Sequence, residues 1–317
     1  MMRLTLAIPS KGRLQEQAND FFADAGLPLK QAAGARGYRA TMRGLDVDVM
    51  LLSASEIAAA LVVGDVHLGI TGEDLLRETA PEMGSRIVLL HPLGFGFANV
   101  VVAVPQAWID VSTMADLDDV CAAFAHRHRR RLRVATKYTH LTRAFFAHAG
   151  ISDYRIVESA GATEGAPTAG TAEAIVDITT TGATLAANGL KILDDGTILE
   201  SQANLAASLA ADWDAAARAT AETLLTRIGA RERAKASHVL RVRLNADAGK
   251  TVTALGLKVL SSPPGATGEY TLLCPREKLM GAMAAIGGHG ATVQDVEYVF
   301  DGAEPLAEKL LSALPRS

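Results

Sequence analysis

Val134-Ala135-Thr136-Lys137, then Leu141, then Phe145-Phe146-Ala147-His148-Ala149-Gly150-Ile151 restates an arrangement already present at the start of the chain. There it reads Ala7-Ile8-Pro9-Ser10-Lys11, then Leu14, then Phe21-Phe22-Ala23-Asp24-Ala25-Gly26-Leu27. Each copy has an apolar run, a loop with a hydroxyl and a lysine, and a segment ending in a phenylalanine pair before a glycine. That is the pattern of strand, loop and helix. A second echo follows, because Ile70-Thr71-Gly72 and Thr180-Thr181-Gly182 each close a later strand on Thr-Gly. A repeat of this kind predicts two α/β lobes facing each other, with a lysine loop and a Thr-Gly loop from each lining the cleft.

Outward from these stretches, the first copy reads as strand Leu4 to Pro9, helix Leu14 to Ala25, strands Tyr38 to Met42 and Val47 to Leu52, and helix Glu56 to Val63 behind Ser53 and Ser55. Strands Val66 to Ile70 and Arg86 to Leu90 follow. After the glycines at 94 and 96, strand Val100 to Val104 opens the second run, with a helix near Met114 to Ala125 and strand Leu132 to Thr136. Alternation of strand and helix predicts mostly parallel sheets with ligands at the carboxyl ends of the strands. Ala203 to Ala236 reads as one alanine-rich helical tract with Gly229 as a break. Beyond it lie strand Val239 to Leu244, helix Gly249 to Leu255, strand Leu257 to Leu260, a Pro263-Pro264-Gly265 turn, strand Tyr270 to Cys274, helix Glu277 to Ile286 ended by Gly287-Gly288, and strand Val293 to Phe300. That βαββαβ order predicts an appended ferredoxin-like unit. The expected division is 1–94 plus 188–232 for one lobe, 95–187 for the other, and 237–317 for the C-terminal unit.

The 317 residues are 49% hydrophobic but only 5% aromatic, so small aliphatic side chains must fill the cores. A net charge of −4 gives no bulk attraction to nucleic acid or membrane, and any anion site must be local. His126-Arg127-His128-Arg129-Arg130-Arg131 reads as a helix end complementing its dipole, not as a nucleic-acid patch. Cys121 and Cys274 alone exclude a disulfide framework and a multi-cysteine zinc site. The apolar run Leu4 to Pro9 is too short for a signal peptide, and no stretch approaches membrane-spanning length. The expectation is a cytoplasmic enzyme or binding protein.

Ala174 to Leu185 carries the clearest chemistry. A β-branched run is interrupted by Asp177, then Thr179, Thr180, Thr181, Gly182, Ala183 and Thr184 lead into a helix start. Amide N–H groups, hydroxyls and a helix N-terminus together suit a phosphate; a threonine-capped turn is the structural alternative. Asp177, in an apolar strand, needs a partner: ribose hydroxyls, or simply a loop N–H. Glu164 in Gly161-Ala162-Thr163-Glu164 either faces the same sugar or is solvated. Lys11, Arg13 and Lys137 follow strand ends and converge on a polyanion. Asp74 beside Thr71-Gly72 either caps its helix or accepts from a base or amine.

These residues resemble the ATP phosphoribosyltransferase family in its long form. The resemblance lies in Ala7 to Leu14 (Ala-Ile-Pro-Ser-Lys-Gly-Arg-Leu), Gly69 to Leu75, Arg133 to Thr142, Gly161 to Glu164 and Ala174 to Leu190, in order over most of residues 1–210. It implies two type II periplasmic-binding-protein-like lobes and a C-terminal ferredoxin-like (ACT-like) domain. It further implies transfer of a 5-phosphoribosyl group from phosphoribosyl pyrophosphate to N1 of ATP, the first step of histidine biosynthesis. ATP falls to the lobe of Lys11, Gly12, Arg13, Thr71, Gly72 and Asp74. Phosphoribosyl pyrophosphate falls to Glu164, Asp177 and Thr179 to Thr184, with phosphate contacts from Lys137 and Tyr138. Mg2+ is expected on pyrophosphate oxygens, L-histidine as feedback inhibitor at the C-terminal domain, and a homo-oligomer, a hexamer assembled from dimers. The chain departs from the family's usual Tyr-Pro-Asn-Leu at Tyr138-Thr139-His140-Leu141, and from Glu-Leu-Ala-Pro at Glu164-Gly165-Ala166-Pro167. A non-catalytic two-lobed solute-binding protein and a phosphoribosyltransferase for another base are the alternatives.

Overall fold

The computed structural model describes residues 3–31, 38–159, 161–244, 252–265, 267–286, 290–302 and 304–314. The chain begins with β1 (Leu4–Pro9), α1 (Gly12–Asp24), β2 (Leu29–Gln31), β3 (Arg39–Met42), β4 (Val47–Leu52), α2 (Ala54–Val63), β5 (Leu68–Gly72), α3 (Glu73–Thr79) and β6 (Ile87–Pro92). It crosses to β7 (Asn99–Pro105), α4 (Met114–His128), β8 (Leu132–Thr136), α5 (Thr139–His148), β9 (Tyr154–Glu158), β10 (Ala174–Thr179), α6 (Ala183–Ala187) and β11 (Leu190–Leu199). It then returns through β12 (Ala203–Ser208) and α7 (Ala215–Ala236).

Two sheets result, ordered β2-β3-β4-β1-β5-β12-β6 and β11-β7-β10-β8-β9. The internal echo is present as topology: β4-β1-β5-β12-β6 and β9-β8-β10-β7-β11 are the same arrangement. In each, the first strand lies between two parallel partners. One strand runs against both of its neighbours. That reversed strand, β12 or β7, is always the one delivered by a crossing from the other lobe. The sheets are therefore mixed rather than mostly parallel, in the expected type II two-lobed arrangement.

Burial explains the strands. In β1, Leu4, Leu6 and Ile8 join the core beneath α1 and α7, while Ala7 faces Ile57, Ala58 and Leu61 of α2. In the second sheet Val100, Val102 and Val134 pack beneath α4 and α5, and Val101, Ala103 and Ala135 meet Leu185 of α6. The tract at 203–236 is not one helix. Every residue of β12 is buried between β5 and β6, and this context overrides the helical preference of alanine. The helix starts only at Ala215, where Asp214 caps it through Ala217 N–H at 2.8 Å, and it passes through Gly229 unbroken.

β13 (Ser237–Leu244), β14 (Lys258–Ser261), β15 (Gly268–Pro275), α8 (Leu279–Ile286) and β16 (Thr292–Gln294) follow directly. Their antiparallel sheet, β14-β15-β13-β16, has the ferredoxin-like order. Of the helix expected at Gly249 to Leu255, positions 249–251 lie outside the described residues, as do Gly287 and Gly288. The last strand is shorter than Val293 to Phe300, because Val296 and Val299 leave the sheet edge to pack on Val239, Leu273 and Ala234. The closing helix α9 (Pro305–Ala313) leaves this unit and buries Ala307 and Leu310 in the first lobe's core. The expected divisions at 188 and 237 thus do not follow the packing: β11 belongs to the second sheet, and α9 packs on the first lobe. No described helix is long and apolar enough to cross a membrane.

Candidate active site between the lobes

The carboxyl ends of β1 and β5 in one lobe, and of β8 and β10 in the other, open toward the two crossover segments. These segments pair with each other through Leu93 N–H to Ala203 O (3.0 Å), Ala203 N–H to Phe95 O (2.9 Å) and Ala98 N–H to Ser201 O (2.9 Å). Beside this ladder, Arg13, Leu14 and Gln17 of α1, residues 94–97 and Thr180 enclose a cavity of about 370 Å³. A neighbouring cavity of about 440 Å³ is lined by Phe97, Asn99, Thr180, Glu200, Ser201 and Gln202. Thr180, whose hydroxyl donates to Phe97 O at 3.0 Å, borders both.

On the first-lobe side, Lys11, Gly12 and Arg13 are exposed at the start of α1. Gly12 has φ +72°, and a Cβ there would meet nothing within 4 Å. Glycine is needed for the backbone turn, not for room. On the opposite side, Gly182 (φ +75°) heads α6, and its N–H donates to Thr179 Oγ1 at 2.8 Å; Ala183 N–H lies 3.4 Å from Thr181 Oγ1. Thr181, Ala183 and Thr184 are exposed. α6 has only five residues, so its dipole is weaker than the sequence suggests. Anion binding here rests on loop amides and hydroxyls.

Asp177, Glu164 and Lys137 gather beside this loop. Burial pushes the Asp177 carboxyl above the usual carboxylate range, and Glu164 adds to the rise. The Ile178 N–H, 2.8 Å from Oδ1, and the Lys137 cation work against it. Lys137 is exposed, its Nζ 4.9 Å from the Tyr138 ring centroid. Glu164 is half-buried in a short 3₁₀ turn that follows Ala162, a non-glycine residue at φ +51°.

Three expected contacts sit elsewhere. Thr71 is fully buried and donates to Ala54 O at 2.8 Å. Tyr138 is fully buried in the second lobe's core, so its hydroxyl does not face a phosphate. It crosses the cleft instead and donates to Asp74 Oδ2 at 2.6 Å. Burial and the Asp74 charge push its ionisation far above the ordinary tyrosine range. Asp74 is only 4% exposed; its Oδ1 accepts from Ser201 Oγ at 2.9 Å, and Ser201 Oγ in turn accepts from Asp74 N–H at 3.0 Å. It is neither a simple helix cap nor open to a base. A Cβ at Gly72 would collide with the Asp74 carboxylate, which accounts for the glycine there.

Against known proteins, the family model for ATP phosphoribosyltransferase matches residues 53–230, more than half of the chain. The chain belongs to the ATP phosphoribosyltransferase family. It is 56% identical over 319 residues to ATP phosphoribosyltransferase of Bradyrhizobium diazoefficiens, covering 98% of each chain. It is 57% identical over 317 residues to that of Rhodopseudomonas palustris strain BisB18, again covering 98% of each. Among solved structures, the ATP phosphoribosyl transferase (HisG:HisZ) complex from Thermotoga maritima aligns at TM-score 0.49 with 26% identity, over 64% of this chain and 87% of that one.

In this ATP phosphoribosyltransferase-family chain the crossover residues are what sequence reading misses. Ser201 holds Asp74, and Gln202 Oε1 accepts from Gly94 N–H at 2.9 Å. Gly94 and Gly96 mark the first crossover in the sequence, but nothing marks the second, which ends at Ala203, where the tract read as helical begins. Gln17 and Phe97 enter the cavity lining only because α1 and the first crossover meet there.

Proposed function

We propose that the chain transfers the 5-phosphoribosyl group of phosphoribosyl pyrophosphate to N1 of the ATP adenine, giving N1-(5-phosphoribosyl)-ATP and pyrophosphate, as the first step of histidine biosynthesis. The observation that carries this reading is the pairing of Arg13 and Thr180 across one cavity, with the Lys11 loop on one side and the Asp177 to Thr184 loop on the other. ATP is assigned to the first lobe and phosphoribosyl pyrophosphate to the second.

The chemistry follows from the groups present. N1 attacks the anomeric carbon with its ring lone pair, and the electrons of the breaking C–O bond leave with pyrophosphate. No proton has to be removed from N1, so neither carboxylate is required as a general base. Positive charge grows on the ribose, and Asp177 and Glu164 suit that side electrostatically. The Thr179 to Thr184 hydroxyls and amides take the 5-phosphate; Lys11, Arg13 and Lys137 take the remaining phosphates and hold the reactants in line.

The donor set fits Mg2+ carried by the substrate. Asp177 and Glu164 are close enough to couple, and no cluster of three or more metal-binding side chains occurs among the described residues. Asp177 and Glu164 would help to hold the ion alongside pyrophosphate oxygens. Bound there, Mg2+ would neutralise charge on the leaving group.

The reading extends to a cytoplasmic homo-oligomer, a hexamer of dimers, inhibited by L-histidine at the ferredoxin-like unit. The test is pyrophosphate release from ATP and phosphoribosyl pyrophosphate with Mg2+, repeated with other purine nucleotides and with added histidine, with light scattering for subunit number. ATP-dependent release is expected. Binding without turnover would favour a solute-binding protein, and turnover with another base would reassign the acceptor. Insensitivity to histidine would remove the sensor role alone.

A further inference from the structure

One carboxylate reaches out of the first lobe to complete a helix in the second. Glu78, half-buried on the last turn of α3, accepts from His140 N–H at 2.9 and 3.1 Å and from Leu141 N–H at 3.0 Å. It also accepts from the Thr139 hydroxyl at 3.2 Å. Thr139, His140 and Leu141 open α5, whose preceding residue, Tyr138, makes no side-chain capping bond. First-turn N–H groups usually find an oxygen on the residue just before the helix. Here the oxygens come from 61 to 63 residues away, in the other lobe. Their negative charge also lies at the positive end of α5.

The same face of α3 does more. Asp74 stands four residues before Glu78, and residues at that spacing lie one above the other on a helix. It takes the Tyr138 hydroxyl. Asp74 thus fixes the side chain of residue 138, and Glu78 fixes the backbone of 139–141. Lys137 immediately precedes this doubly held segment, and its cation is felt by Asp177.

We propose that Glu78 is a positioning residue for the reaction: its cross-lobe cap on α5 holds Lys137 where the pyrophosphate of the donor binds. The inference rests on the phosphoribosyl pyrophosphate reading of the second lobe. Glu78 touches no substrate. It acts through the α5 backbone and Lys137, so it affects one substrate and not the other.

The test uses the full chain and three variants, E78A, E78Q and T139V. Michaelis constants are measured for each substrate separately, with amide hydrogen exchange at His140 and Leu141. Loss of the charge-assisted bonds in E78A is expected to raise the KM for phosphoribosyl pyrophosphate about tenfold or more, with the KM for ATP within about twofold, and to speed exchange at both amides. E78Q keeps one acceptor oxygen and should show the same split to a smaller degree, which serves if E78A does not fold. T139V loses only the hydroxyl contact and should show the smallest change. An unchanged donor KM in active, folded E78A overturns the proposal and leaves the function standing. Equal rises in both constants also overturn it, because they mark a general structural role. Absence of pyrophosphate release by the unmodified chain overturns the functional reading and this proposal with it.

Discussion

Asp74 has a donor at each carboxylate oxygen in a place almost closed to water. Y138F removes one donor and leaves Oδ2 buried without it, at a cost of about 1–3 kcal/mol to be read from urea unfolding. For Asp177 the leading effect is desolvation. Its folded-state pKa is raised by burial, so the folded chain holds that proton more tightly than the unfolded chain does. The resulting stability is fully present below the usual carboxylate pKa and is lost as pH rises through the raised value. D177N should therefore be at least as stable as the parent at neutral pH, with the gap closing in acid, as thermal melts across pH would show. If the carboxylate accepts from ribose, the same variant weakens donor binding, and the parent's donor KM should rise in acid at a higher pH than an ordinary aspartate would give. Gly182 offers a third reading at this scale: with φ +75° and only Ile192 Cδ1 near a new Cβ, at 3.5 Å, G182A is strained by its backbone and not by crowding. About 1–2 kcal/mol and a raised donor KM are expected, measured by unfolding and by initial rates. Lys11, Arg13, Lys137, Asp177 and the Thr loop could be grouped from the sequence because charge and hydroxyls at strand ends have few structural uses, and the fold places them at the carboxyl ends of β1, β8 and β10. Thr71 and Tyr138 were misplaced because the same residue types also satisfy buried polar groups, and sequence does not tell a buried hydroxyl from an open one.

Elements were legible where local pattern and tertiary setting agree. β1, β4 and β8 have the boundaries their apolar runs imply, and Ser53 caps α2 through a box with Glu56. They were illegible where the sheet decides. Ala203 to Ser208 has the composition of a helix and the position of a strand: Ala206 lies opposite Gly69 in β5, and a Cβ on Gly69 would meet Ile57 Cγ2 at 2.8 Å. Ala206 faces the same crowded cluster, with Ile57 and Leu61 of α2, which leaves little room for a larger side chain. A206L is therefore expected to destabilise by about 1–3 kcal/mol through overpacking. A219L on the exposed face of α7 should leave stability within about 0.5 kcal/mol. Urea unfolding of the pair checks it, and equal effects would mean that 203–208 is not held between β5 and β6.

At the scale of the whole molecule, the βαββαβ order was readable because each strand alternates or is bounded by turns, whereas the path after β16 was not. Residues 296–299 look like more strand, yet Val299 N–H donates to Ala230 O at 3.0 Å and Arg233 Nε to Val299 O at 3.1 Å, which tie the segment to α7. α9 then delivers Ala307 and Leu310, followed by Leu314, to the core that contains Leu224, Leu225 and Ile228. The C-terminal unit is bracketed by two helices of the first lobe and is not a detachable appendage. Cutting the chain at 237 to test regulation would also strip this core, so lost activity in such a fragment would say nothing about histidine. A sharper probe is L310A, which removes a side chain that is 1% exposed and lies far along the chain from every cleft residue. It is expected to cost about 2–5 kcal/mol and to lower the melting temperature of the full chain. At temperatures where the variant remains folded, its Michaelis constants should match the parent's. A melting temperature equal to the parent's would mean that α9 contributes nothing to the first lobe. A changed KM in the folded variant would mean that this helix reaches the cleft through α7.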